Sequence, residues 1–378
     1  MSETFDIVVV GGGMAGMSIG AELAADARVL VLEAEDAPGY HATGRSVAFW
    51  SETYGGPVVQ PLTSASGPLL AHPDPGFSET PFLSSRGCFH IGTQENAADA
   101  DAFVTLFAGQ GVDVARVGRD VLADAVPGLL PGWTTGVAEA TCQDIEAATL
   151  LTAYRGQLLR RGGVLRCGEG FRGARREGAG WRVETAGGAV SCAVLVNAGG
   201  AWVDEIARLS GVAPIGISPL RRTVVQVRTD PAAPADLPLI IDLAGTVYFK
   251  SVGGGRLWLT PHDEQLQAPG DAAPDELAVA TAIARFERVV GWRIAGVERK
   301  WAGLRSFAPD RAPVYGYDPA VPGFFWFAGQ GGFGIQTAPA AALLAAGLLT
   351  GHAPDARIAH IDAAAYAPAR FSALDKGR

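Results

Sequence analysis

Residues 5 to 33 constrain the fold of this chain more than any other stretch. An apolar run, FDIVVV, leads into GGGMAG, then into MSIGAELAA and a second apolar run, RVLVLE. Such runs, separated by glycine and a small-residue segment, read as strand, tight turn, helix and strand, the start of a parallel βαβ sheet. Gly11, Gly13 and Gly16 stand in GxGxxG spacing at the first turn, and Glu33 ends the second strand 20 residues after Gly13. Gly11 permits the tight turn, Gly13 lets backbone approach a pyrophosphate, and Gly16 allows close helix packing, while the helix N-terminus at Met14 and Ala15 attracts phosphate charge. Glu33 is placed to accept a hydrogen bond from a ribose hydroxyl, and its charge repels a 2′-phosphate. The unit predicts a dinucleotide site and counts against NADP.

That turn alone does not separate FAD from NAD. Near the C-terminus, PGFFWFAG reads as a buried strand, GQGGFG as a loop and TAPAAALLAAGLL as a helix whose early proline suits its first turn. A helix start aimed at the pyrimidine edge of a flavin stabilises the negative charge that reduction places there. So distant a return to one ligand suits FAD. Between the two ends, residues 36 to 81 are irregular, and 98 to 130 read as two helical stretches broken by glycine and proline. IEAATLLTAYRGQLLRRGG reads as a helix, Pro219 to Leu259 as antiparallel strands, Glu276 to Val290 as a helix and Ala353 to Arg378 as a weakly structured tail.

The chain's 378 residues amount to about 2.5 ordinary domains, so one long fold or two closely joined units is expected. A net charge of −9 argues against nucleic acid or an anionic membrane as partner. Cys88, Cys142, Cys167 and Cys192 show neither CxxC nor metal-ligand spacing, so no disulfide framework and no metal site is expected. No cationic leader precedes the first strand, and the apolar run Ala338 to Leu349 is too short to span a bilayer. The expectation is a soluble, cytoplasmic protein without a transmembrane segment.

GGGMAGMS, LEAEDAPGYHATGRSVAFW, VLVNAGGAW, WAGLRSF and GQGGFGIQTAPA, in this order, resemble FAD-dependent oxidoreductases of the D-amino acid oxidase and glycine oxidase superfamily, most closely the bacterial FAD-dependent D-arginine dehydrogenases. The resemblance implies an α/β (α+β) architecture with a Rossmann-like FAD-binding domain and a substrate domain whose β-sheet caps the flavin. The expected boundaries are 1–80, 140–215 and 300–378 for the discontinuous FAD domain, and 81–139 and 216–299 for the substrate domain. It further implies that the loop containing His41, Thr43, Gly44, Arg45 and Ser46 runs along non-covalent FAD. Asn197, Ala198, Gly199 and Trp202 match the turn near the nucleotide, Val164 the adenine region, Gly303 and Arg305 the WAGLRSF segment. Gly331, Gly332, Phe333, Gly334, Ile335, Gln336 and Thr337 match the C-terminal cofactor loop.

Oxidising an amino acid to its imine requires a fixed carboxylate, an aimed Cα hydrogen and an uncharged amine. Arg222 and Arg305 match family positions for the carboxylate clamp, with internal ion pairing as the plainer alternative. Tyr54 and Tyr248 match pocket tyrosines, and Val47, Phe49, Trp50 and Ser51 are expected to face flavin or substrate. Gly331 and Gly332 would bring carbonyls to the amine. Phe49 replaces a histidine of the D-arginine enzymes, and Cys88 replaces the acid that pairs with a cationic side chain. The expected substrate is therefore a D-amino acid with a neutral, apolar or aromatic side chain, oxidised by hydride transfer to flavin N5 and hydrolysed to a 2-oxo acid and ammonia. Alternatives are a secondary amine or cyclic imino acid, and a non-catalytic FAD-binding protein for assembly or redox sensing, against which the two arginines count. His90 is expected to be structural and Lys250 solvated; the electron acceptor, oxygen or a quinone or other carrier, and the oligomeric state stay open.

Overall fold

The computed structural model describes residues 3–371. The opening apolar run forms the strand Glu3–Val10, which pairs in parallel with Val29–Leu32 on one side and Gly188–Asn197 on the other. Val164–Arg166 extends this parallel sheet beyond Val29–Leu32, and Phe324–Ala328 joins it beside Gly188–Asn197. Antiparallel strands Phe171–Glu177, Gly180–Thr185 and Val314–Tyr317 complete an eight-stranded sheet. Apolar side chains point from both of its faces because both are covered. Ile7 and Val9 pack with Met17, Leu158 and Leu344 of three helices, Met14–Leu23, Ala147–Arg160 and Ala338–Thr350. Phe5 and Val8 pack on the opposite face with Trp181, Val203 and Trp326.

A second sheet of nine strands centres on Ser218–Ala233, which pairs with Gly255–Thr260, Gln265–Leu266 and the long strand Arg293–Phe307. One face is apolar: Val225, Leu257, Leu259 and Phe249 pack beneath Phe286 of the helix Glu276–Phe286. The other face carries Arg222, Tyr248 and Arg305. A three-stranded sheet of Phe49–Trp50, Leu83–Ser85 and Gln143–Ile145 lies between the larger two in sequence and contributes Phe49 to that face.

Three sequence expectations meet different outcomes. The strand Arg293–Phe307 runs without interruption through the expected boundary at residue 300, because its whole length pairs with Ser218–Ala233. Between the two helices found at Ala97–Ala108 and Arg119–Ala125, Val114–Gly118 forms an edge strand of the second sheet. In the segment expected to be a loose tail, Ala363–Tyr366 and Pro368–Phe371 are short turns, and Tyr366 is buried against Tyr315 with its hydroxyl donating to the Val58 carbonyl at 2.8 Å. The rest of that segment, 372–378, lies outside the described residues. Among the described residues no helix is long and apolar enough to cross a membrane, and all four cysteines are free.

Candidate active site

The parallel strands end at one edge, where Val10, Leu32 and Ala198 border a cleft of about 540 Å³. A crevice beyond the carboxyl ends of parallel strands is where open α/β sheets bind ligands. Gly11 has φ +109°, and a Cβ there would lie 2.5 Å from the Ala198 carbonyl oxygen, so only glycine lets the turn pass this close to the neighbouring strand. The turn is braced by side chains. Gly12 N donates to Glu33 Oε2 at 2.8 Å, Glu35 N donates to Glu33 Oε1 at 2.9 Å, and Met14 N donates to Thr43 Oγ1 at 3.0 Å. The Gly13 and Ala15 amides border the cleft without an acceptor among the described residues. Unpaired amides at a helix N-terminus are the donor set that a pyrophosphate requires.

The far wall is the loop after Leu32. His41 contacts Glu35 at 2.9 Å and packs on Trp202, with ring centroids 4.7 Å apart. Arg45 lies over the Tyr40 ring and donates to the Ala272 and Ala302 carbonyls at 3.0 and 3.1 Å, with Asp271 as its ion-pair partner. Ser46, Gly199, Gly303, Arg305, Gly331, Gly332, Gly334 and Ile335 also line the cleft. Other anticipated cofactor residues sit behind it. Gly16 packs on the Gly11 carbonyl, and Gly44 closes a turn onto Gly39. Asn197 is buried and bonds to Val203 O and Gly199 N, shaping the turn. Phe333 packs with Val59 and Phe307, and Thr337 bonds to the Phe333 carbonyl. Val164 pairs with Leu30, while Gly170 and Phe171 border the cleft nearby.

A smaller chamber opens beside Ser46, Arg305, Gly332 and Ile335 and is enclosed by Val47, Phe49, Tyr54, Tyr248 and Gln336. Strand register brings its polar groups together. Gly303 pairs with Arg222, so Arg305, two residues on, shares that face as a diagonal neighbour of Arg222. Phe49 meets Tyr54 and Tyr248 edge-on at 4.9 and 5.8 Å between centroids. Gly332 separates Tyr54 from Arg305: a Cβ there would lie 2.7 Å from the tyrosine hydroxyl and 3.2 Å from Arg305 Nε. Gln336 holds the Ser51–Tyr54 segment, accepting from Ser51 N at 3.2 Å and donating to Tyr54 O at 3.0 Å.

The two arginines are the unusual groups. Arg222 is 1% exposed; its Nε donates to Asp263 O at 2.9 Å and Nη2 to Glu264 at 3.1 Å, but buried Nη1 has no partner. The side chain of Arg305, a residue 8% exposed, makes no hydrogen bond to any described residue, and its Nε is buried without an acceptor. Burial pushes Tyr248 up, against the pull of Arg305 and Arg222, so its hydroxyl stays protonated. Burial opposes the charge of Arg222, but Tyr54, Tyr248 and Glu264 outweigh it and hold the cation.

His262 had no motif to announce it. It occupies the left-handed region at φ +53°, its Nδ1 contacts the Gly245 carbonyl, and its ring faces Tyr248 at 5.5 Å and Tyr54 at 6.4 Å. Burial, then Arg222, pushes it down to about 3, with Arg305 adding to the effect. Glu139, completely buried, was likewise unmarked; it accepts from Ser51 Oγ, Thr53 Oγ1 and Glu52 N at 2.8, 2.7 and 2.7 Å. Trp50 turns into the core, donating to Thr63 O, and Cys88 stands behind Phe49 and Tyr248 beside His90. Lys250, expected to be solvated, is instead buried and paired with Asp144 at 2.7 Å.

Residues 6–348 match the DAO family model, described as FAD dependent oxidoreductase. The chain belongs to that family. FAD is its cofactor, and the unpaired turn amides and braced Glu33 fit that role. The chain is 27% identical to glycine oxidase of Pseudomonas putida, over 96% of this chain and 98% of the relative. It is also 27% identical to bovine FAD-dependent oxidoreductase domain-containing protein 1, over 89% and 79% respectively. Its fold matches that of L-proline dehydrogenase from P. horikoshii with a TM-score of 0.86 at 20% identity, covering 99% of both chains. FAD-dependent oxidation of an amino acid or amine is thus the general activity of the DAO-family chain.

Proposed function

We propose that this chain oxidises a D-amino acid with an uncharged side chain to its imino acid, which water converts to the 2-oxo acid and ammonia. The observation that carries this is Arg305 at the chamber wall, whose buried Nε has no acceptor among the described residues. A buried cation without its anion is costly, and a substrate carboxylate supplies the missing acceptor. Tyr54 and Tyr248 add hydroxyl donors to the same wall. The electrostatics that keep His262 neutral also act on an entering ammonium, favouring its loss of a proton and freeing the nitrogen lone pair. FAD bound in the cleft supplies the two-electron acceptor. Arg305 and Gly332 border both cleft and chamber, so a carboxylate held by the arginine sets the position of the Cα hydrogen.

The neutral side chain is supported by the chamber wall, where Val47, Phe49, Tyr54, Tyr248 and Ile335 offer no carboxylate. Phe49, which stands where D-arginine dehydrogenases carry a histidine, adds an apolar ring to that wall. A cyclic imino acid or other secondary amine is the second reading, and the same uncharged wall supports it. We assign the parallel-sheet unit to FAD and the nine-stranded unit to substrate. The free thiols support placing the protein in a reducing compartment, the cytoplasm.

Anaerobic mixing with a panel of D-, L- and N-methyl amino acids, followed by flavin bleaching, tests this. Neutral D-amino acids or cyclic imino acids should bleach fastest. Preference for D-arginine over D-leucine and D-phenylalanine would overturn the side-chain assignment, and bleaching by none of the panel would favour the non-catalytic FAD-binding alternative.

A further inference from the structure

A second constellation lies behind the chamber and plays no part in the oxidation described above. Cys88 and His90 are alternate residues of the strand Cys88–Gly92 and so project to one face, while Glu139 pairs opposite Cys88 from the antiparallel strand Thr135–Glu139. All three are buried, and Cys88 Sγ, a His90 ring nitrogen and a Glu139 carboxylate oxygen lie within 4.8 Å of one another. Cys88 Sγ is 3.7 Å from His90 Nε2, and His90 Nε2 is 3.6 Å from Glu139 Oε2. The second separation is too long for a hydrogen bond. Both approach the ligand-to-ligand edges, about 3.3 to 3.6 Å, of a tetrahedral ion with bonds of about 2.3 Å to sulfur and about 2.0 Å to nitrogen and oxygen.

We propose that Cys88, His90 and Glu139, with a water as fourth ligand, form a binding site for a thiophilic divalent cation of the zinc class. Thiol and imidazole donors select such an ion over magnesium or calcium. Cys142 packs in the same buried cluster as Cys88. It also borders a surface pocket of about 530 Å³ with Arg86, Thr141 and Asp236, which gives the ion an entry path. Glu139 is 0% exposed; His90 lies 3.6 Å away and three hydrogen-bond donors hold it, but no lysine or arginine pairs with it among the described residues, so an ion would add the positive charge its buried carboxylate lacks. The coordinated Cys88 thiol releases its proton to solvent as the metal–sulfur bond forms. Because Glu139 also holds Ser51, Glu52 and Thr53, the ion would brace the segment linking Phe49 to Tyr54.

The test is made on the full-length, FAD-loaded protein, stripped with a chelator and exposed to zinc alone, with bound metal counted by mass spectrometry. One equivalent should remain after desalting, and Cys88→Ser and His90→Gln should each weaken retention about 10- to 100-fold while flavin absorbance persists. Failure of the unmodified protein to retain zinc, or retention in both variants as strong as in the unmodified protein, would overturn the site. If both variants lose flavin, cobalt(II) in the unmodified protein decides. Visible bands of a tetrahedral thiolate site, beyond the flavin absorption, are required, and their absence rejects the proposal.

Discussion

Arg45 and Arg305 border the same cleft yet are held in opposite ways. The Arg45 side chain is held by two backbone carbonyls and Asp271, whereas the Arg305 side chain has no hydrogen-bond partner among the described residues. The first closes a wall of the cofactor cleft with internal bonds; the second is kept ready for an anion from outside. The cleft is thus a surface of backbone finished by its own side chains, and the chamber a set of side chains finished only by a ligand. Under the proposed function, unpartnered charge, more than arginine itself, marks the substrate end.

The largest test of this contrast is Arg305→Ala. It should lower kcat/KM about 10²- to 10³-fold for carboxylate-bearing substrates while leaving FAD affinity nearly unchanged, measured by stopped-flow reduction and flavin titration. Gly11→Ala should do the reverse, cutting flavin content of the purified protein by about tenfold or more, because it adds left-handed strain to a clash with Ala198. Full flavin content would show that the turn relaxes without cost.

His262 gives an intermediate effect that is visible in stability. It stays neutral down to about 3 in the fold but takes up a proton near 6.5 once released, so the unfolded chain binds more protons between those values. Stability should fall as pH drops through that window, by up to about 1.4 kcal/mol per pH unit from this group. His262→Asn, which tolerates the left-handed backbone, should flatten the slope in denaturant titrations at pH 4 to 6.5; an unchanged slope would mean that other groups dominate. Smallest of all, Asp271→Asn should shift FAD affinity less than about fivefold, since Arg45 keeps both carbonyls and the lost ion pair is exposed.

The same division explains what was legible beforehand. GxGxxG and Glu33 were readable because a turn and its acid are specified within one short stretch, and the alternating strands around Arg222 were readable from their period. The meeting of Arg222 with His262 and of Cys88 with Glu139 depends on pairing between distant strands, and sequence spacing carries no trace of it. Val164 and Asn197 show a subtler limit. Val164 pairs with Leu30 and the Asn197 side chain bonds within its own turn, and neither lines the cleft, whereas Phe171 and Gly199 do. Lys250 alternates in step with Tyr248 as expected, yet Asp144 supplies a buried partner that no local pattern announces.

The strand Arg293–Phe307 places Trp301 on the Arg45 carbonyl, Gly303 on the cleft and Arg305 at the chamber, all on one face of a single ladder with Ser218–Ala233. Inserting or deleting one residue in it would reverse the facing of everything beyond and remove clamp and cleft wall together. For protein engineering this makes the strand a poor crossover point: a chimera exchanging specificity between relatives should carry it whole, with its Ser218–Ala233 partner, rather than join parents at residue 300.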